Sequence, residues 1–194
     1  MPHSLNTKPD HMRNILIITL ILAAFALSFR LATPTNVTGK TAKHRPAHVE
    51  KYVKRFLKTA QAEAELYNIP VSIKLAQGIL ESNSGRSQLA KRHNNHFGKK
   101  WHGSGKYAVY KDDTPKDRFQ VYKSAWRSYR DHSKLLCNDR YKHLLKLHRL
   151  DYKKWAHGLK KAGYATNPKY AEALISVIEN YGLWYYDFKL PGLN

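Results

Sequence analysis

The stretch VSIKLAQGILES, residues 71–82, constrains the fold most. Ile73, Leu75, Ala76, Ile79 and Leu80 recur at helical spacing and make an apolar face that has to be covered. Pro70 suits the helix start. The run ends on a carboxylate, Glu81, and Ser82-Asn83-Ser84-Gly85 follow at once. The chain holds 34 Lys and Arg against 14 Asp and Glu, so one of its few acids lies against an apolar face.

The rest of the sequence supplies helices to cover that face. Val53, Phe56, Leu57, Ala60, Ala64 and Tyr67 give helical spacing over Val49 to Tyr67. Residues 82–105, rich in Gly, Asn, Ser and His, read as mostly irregular. Residues 107–110 and 118–122 are short β-type runs, and the Asp- and Pro-bearing segment between them has turn chemistry, which predicts a small hairpin. Ser124 caps a helix carrying Trp126, Tyr129, Leu135 and Leu136. A short helix is expected around Tyr141 to Leu147. Asp151 caps another, with Trp155, Leu159 and Ala162 on one face and Gly163 at its end. Asn167-Pro168 opens the last, through Ala171, Leu174, Ile175 and Ile178 to Gly182. The fold class is mainly α with one small β element. Trp126 and Trp155 are assigned to the core.

Residues 15–29 form an uncharged apolar run flanked by Arg13 and Arg30. Its length suits the core of a signal peptide. Ala24-Phe25-Ala26 resembles a cleavage site but lies within the run, so an anchor over residues 15–31 stays open. The expected organisation is 1–32 signal peptide or membrane anchor, 33–48 linker, 49–188 folded domain and 189–194 tail. The product is exported to the periplasm or cell envelope, and the membrane is met only through that segment. Cys137 is the single cysteine, which excludes an internal disulfide and a Cys-rich zinc module. The net charge of +20 favours anionic partners. No nucleic-acid recognition motif accompanies it, and nucleic acid is not expected as a partner. His93 and His96, with His102 nearby, lack a matching carboxylate or Cys, so no metal or other cofactor is expected. His132 and His148 read as surface or packing residues of helices.

Two roles stand open for Glu81. One is a surface Glu just past the core. The other is a desolvated Glu that stays protonated near neutral pH and gives its proton to a leaving oxygen. Glycoside hydrolysis needs that acid, usually with a second carboxylate across the scissile bond. No Glu lies between Glu81 and Glu172, so a second carboxylate must be an Asp. Asp112 and Asp113 at the hairpin tip are the candidates, with Asp117 and Asp131 behind them. Trp101, Tyr107, Tyr110, Tyr164 and Tyr170 are aromatics suited to pyranose faces and hydroxyls.

LAQGILESNSGRSQLA, NNHFGKKWHG, FQVYKSAWRSYRDHS and GYATNPKYAEALI, in that order, resemble the glucosaminidase family of peptidoglycan hydrolases (glycoside hydrolase family 73), which includes flagellar rod-cap domains and autolysins. The resemblance covers about Val49 to Tyr186. It implies a lysozyme-like, two-lobed fold with a central cleft. It implies cleavage of the β-1,4 bond between N-acetylglucosamine and N-acetylmuramic acid, by a monomer acting on peptidoglycan glycan strands. It places the catalytic acid at Glu81 within the motif Glu81, Ser82, Gly85, Ser87. It puts Asn94, Asn95, Phe97 and Gly98 along the cleft, sets Tyr164 facing substrate, and makes Tyr170 a support of the site. The chain departs from the family pattern at Lys99, where an apolar residue is usual, and at Asp112-Asp113, where a Glu is common. The substrate's acetamido group is then an alternative to the second carboxylate. A lytic transglycosylase or a muramidase on the same fold, and a non-catalytic basic wall-binding or nucleic-acid-binding module, are the other readings. The basic surface is expected to draw the protein to anionic wall polymer.

Overall fold

The structure, a computed structural model, describes residues 45–111 and 115–189. The proposed signal or anchor segment, most of the linker, Asp112, Asp113 and residues 190–194 lie outside the described residues.

Helix α1, Ala47–Tyr67, buries Val49, Tyr52, Val53, Phe56, Ala60, Glu63 and Ala64. Asn68, at φ 53°, ends it in the left-handed conformation. Helix α2, Val71–Ser82, follows Pro70 and is buried along its whole length. Pro70 offers no side-chain cap. The cap comes from far along the chain: Asp187 accepts from Ser72 N at 2.8 Å and from Ser72 Oγ at 2.6 Å. Helix α3 is Gln88–His93, capped by the Ser87 side chain.

Strands β1, Tyr107–Tyr110, and β2, Asp117–Gln120, pair antiparallel with Tyr107 opposite Gln120 and Tyr110 opposite Asp117. Helix α4, Ala125–Leu136, starts on Ser124, which accepts from Arg127 N. A 3-10 turn, Lys142–Lys146, precedes α5, Tyr152–Lys161, capped by Asp151. Helix α6, Tyr170–Asn180, leads to a 3-10 helix, Leu183–Asp187. α2 is the axis of the core: α1, α5, α6 and the last 3-10 helix all pack on it. The hairpin forms the small second lobe. The mainly helical, two-lobed fold expected from the sequence is the one observed.

Three expectations need correction. The stretch read as irregular contains α3, signalled by Ser87 at its start and by Lys91, Arg92 and His93 in its last turn. The last helix begins at Tyr170, because Asn167 O accepts from Tyr170 N in a turn that precedes it. Trp126 is not core: it is 45% exposed, with the Arg130 guanidinium 4.8 Å above its ring. Trp155 is fully buried as expected.

Candidate active site

Glu81 is only 4% exposed, and its Oε1 is buried without a hydrogen-bond partner among the described residues. Burial pushes the carboxyl up to about 8, so the group holds its proton at neutral pH. The turn after it is pinned by Ser82. The Ser82 hydroxyl donates to Gly78 O and accepts from Gly85 N at 2.7 Å. Ser82 is thus fully buried and spent on the backbone that presents the acid. Gly85 sits at φ +74°, with a Tyr52 ring carbon 3.2 Å from where a Cβ would stand. A side chain there would be strained and crowded together.

Two tyrosines border the acid. Tyr164 and Tyr170 stack with ring centroids 5.5 Å apart, and the Glu81 charge raises the pKa of both hydroxyls beyond what burial does. Tyr170 is fully buried, and its hydroxyl accepts from Gln77 Nε2 at 2.9 Å. Gln77 Oε1 is, like Glu81 Oε1, a buried acceptor left open.

Tyr164 is oriented from behind. Lys74 Nζ donates to Tyr129 O at 2.9 Å and meets His132 Nδ1 at 2.8 Å. Lysine Nζ reaches that nitrogen as a donor, so Nδ1 accepts. Burial and the charges of Lys74 and Lys99 hold His132 neutral, well below the usual histidine range. Its ring proton therefore sits on Nε2, 2.9 Å from the Tyr164 hydroxyl, and is donated to it. The Tyr164 proton is left for another acceptor. Phe97 stacks on His132 at 4.0 Å and fixes the ring.

The remaining predicted residues divide. Asn95 is buried, and its amide is consumed by Lys99 O, Gln120 O and Lys99 N, all within 3.0 Å. It ties the loop after α3 to β2. Asn94, at φ 53°, closes α3 and donates to Tyr122 O. Trp101 is half-buried beside Tyr107 at 5.0 Å, with the Arg118 guanidinium over both rings. Tyr110 bonds His93 Nε2 at 3.0 Å. These aromatics belong to the hairpin lobe, whereas Tyr164 and Tyr170 stand beside the acid. Asp117 pairs with Lys100 at 2.9 Å, and Asp131 takes both Lys99 and the Tyr122 hydroxyl at 2.6 Å. His93 and His96 each bond a tyrosine, and no cluster of metal-ligating side chains occurs among the described residues.

Sequence reasoning passed over Lys74 and Gln77 and took His132 for a packing residue. A signal was present. Gln77 and Lys74 precede Glu81 by one and two helical turns, so three polar groups share one face of an otherwise apolar helix.

A cavity of about 370 Å³ opens beside Tyr164, lined also by Phe97, Lys99, Tyr122, Arg140 and Tyr141. Glu81 does not line it; Tyr164 is common to the cavity and the acid's surroundings.

Known proteins resemble this chain in sequence and fold. The glucosaminidase family model, described as mannosyl-glycoprotein endo-beta-N-acetylglucosaminidase, matches residues 57–183. The exo-glucosaminidase LytG of Bacillus subtilis is 31% identical over 191 residues, covering 91% of this chain and 66% of that protein. An amidase domain-containing protein of Staphylococcus aureus is 34% identical over 160 residues, and there the match spans only 26% of its length. The catalytic domain of the autolysin Auto from Listeria monocytogenes superposes with a TM-score of 0.64 at 28% identity, covering 87% of this chain and 97% of that one. The glycoside hydrolase domain of FlgJ from Salmonella typhimurium gives 0.56 at 30% identity, covering 68% and 86%. With its buried acid inside the matched span, the chain belongs to the glucosaminidase family of glycoside hydrolases.

Proposed function

We propose that the protein is a peptidoglycan hydrolase, an endo-β-N-acetylglucosaminidase that cleaves the bond between N-acetylglucosamine and N-acetylmuramic acid. Glu81 is its general acid. The observation that carries this reading is the buried, unpartnered Glu81 carboxyl, with a pKa of about 8. A carboxyl of that kind is protonated at the start of the reaction. It gives its proton to the leaving oxygen as the glycosidic bond breaks. Positive charge then builds on the sugar ring. Asp112 or Asp113, or the substrate's own acetamido oxygen, stabilises it before water adds. Tyr164, oriented by His132, meets the sugar at the acid, and Gln77 with Tyr170 supports the site from behind. Ser82, Asn94, Asn95 and Phe97 shape the wall of the cleft, and Trp101 and Tyr110 offer aromatic faces from the hairpin lobe. The protein works outside the cytoplasmic membrane, in the periplasm or envelope, with residues 15–31 as export signal or anchor.

A lytic transglycosylase is the second reading. Asp117 and Asp131 are both held in ion pairs, which suits a mechanism with one working carboxylate. One experiment separates the readings: digestion of purified peptidoglycan, borohydride reduction and mass spectrometry. Reduced N-acetylglucosamine ends, lost in Glu81→Gln, are expected. Anhydro-muramic ends would transfer the protein to the transglycosylases. Wild-type activity in Glu81→Gln would remove Glu81 as the acid.

A further inference from the structure

We propose that the cavity beside Tyr164 is a subsite for a carboxylate-bearing peptide branch of the glycan, with Arg140 as its carboxylate fork. The inference rests on the peptidoglycan reading above and adds which part of that polymer the cavity takes.

The cavity is cationic. Lys99, Lys100, His102 and Arg140 line it, against a single lining acid, Asp139, whose Oδ1 accepts from Lys142 Nζ at 2.6 Å. Lys99 is paired with Asp131 and Lys100 with Asp117. Arg140 is different. Its Nε donates to Ala162 O at 2.7 Å, and no carboxylate pairs with it among the described residues. The guanidinium also lies 5.7 Å from the centre of the Tyr141 ring.

These contacts, with a side-chain hydrogen bond to Tyr141, hold the group without engaging a carboxylate among the described residues. Gly163, at φ +73°, makes the placement available: a Cβ there would come within 2.7 Å of Nη2. The guanidinium therefore rests against bare backbone one residue before Tyr164. A planar guanidinium held by Nε and without a carboxylate of its own is suited to take one through charge-assisted hydrogen bonds. While the stem is attached, the lactyl carboxyl of N-acetylmuramic acid is tied up in its amide bond, so the free carboxylates of stem-bearing glycan lie on the peptide stems. A volume of about 370 Å³ is far larger than one carboxylate and takes a short peptide segment with it. Lys99, the departure from the family pattern, adds a second cation on the same wall.

The test uses soluble stem-bearing glycan fragments in two forms, with the stem carboxylates free and with those carboxylates converted to carboxamides. The purified full-length chain is assayed on each, and the ratio of kcat/KM values is read. Wild type is expected to favour the carboxylate-bearing fragments about tenfold, and Arg140→Gln to lose most of that preference. Equal wild-type rates on the two forms would overturn the subsite. So would parallel losses on both forms in Arg140→Gln, which would reduce Arg140 to a prop for the Gly163 turn. If the variant does not fold, the wild-type ratio decides alone. Cleavage of neither form by wild type would instead sink the glucosaminidase reading itself.

Discussion

Glu81 and Lys74 stand two turns apart on one helix face, and burial drives both toward neutrality. The acid is pushed up to about 8 and the amine down to about 7. No ion pair joins them among the described residues: Lys74 bonds other groups, and Glu81 Oε1 has no hydrogen-bond partner there. Lys74 is wholly buried and its Nζ contacts Tyr129 O and His132 Nδ1. Such a lysine costs stability, and its value here is the tautomer it imposes on His132 and, through it, the aim of the Tyr164 hydroxyl. Lys74→Met tests this in two ways. A lysine with a depressed pKa binds its proton less readily in the folded chain than in the unfolded one. Its penalty is absent above the unfolded pKa near 10.5, grows as pH falls to about 7, and is constant below. The unfolding free energy of Lys74→Met relative to wild type should therefore be more favourable at pH ~6 than at pH ~9.5, by about 3 kcal/mol. Turnover should drop about tenfold with little change in KM, since orientation is lost and binding is not. A pH-independent difference in stability, or full turnover, would reject the role. The acid at 81 was legible because an acid ending an apolar helix is conspicuous. Its supports were not, because a single Lys or Gln in a helix says nothing until the element packed on it is known. Asn95 shows the converse. Its motif marked it for substrate, yet its amide is fully used by backbone.

Among the elements, α2 is capped at its start by a distant partner, and sequence revealed only its near ones. Pro70 announced the start, but the true cap is Asp187, raised to about 6 by burial against α2. Local caps were readable in advance: Ser124 and Asp151 each accept from the backbone N–H three residues on. Caps made across the fold have no local pattern. The middle of α2 depends on a glycine whose need was equally silent. A Cβ on Gly78 would stand 2.4 Å from the Tyr52 hydroxyl and 2.9 Å from that of Tyr129. Those hydroxyls bond each other at 2.8 Å, and Tyr52 also meets His96 Nδ1. They terminate rigid rings packed in the core, so neither can swing aside as a flexible chain would. Gly78→Ala gains helix propensity but should still lose about 2 kcal/mol through overpacking, lowering the thermal midpoint by about 5 °C. A midpoint at or above wild type in calorimetry would show that α1 yields easily.

At the scale of the whole molecule, a small catalytic pocket sits in a chain of net charge +20. That charge could be read from composition, but its use could not, since a basic balance fits several polymers equally. The ion pairs help to decide. Lys54, Lys142, Lys153 and Lys154 pair with acids while remaining more than half exposed, which contributes little to stability. The excess of positive charge therefore acts outward, on association. On the proposed function, a field of this kind would concentrate the protein on an insoluble anionic wall, and the contacts near Glu81 would set which bond is cut. The two contributions respond differently to salt. Between about 0.05 and 0.5 M salt the screening length shrinks from about 14 Å to about 4 Å, which removes long-range attraction but leaves short contacts in the cleft. Glu81→Gln, which holds the wall without cutting it, should lose about tenfold in affinity for sedimented peptidoglycan over that range. Its thermal midpoint should stay nearly constant, because isolated exposed pairs carry little of the fold. Affinity unchanged by salt would place all of the binding in the cleft and leave the charge without a part in it. Affinity and midpoint falling together would mean that the surface pairs hold the domain closed.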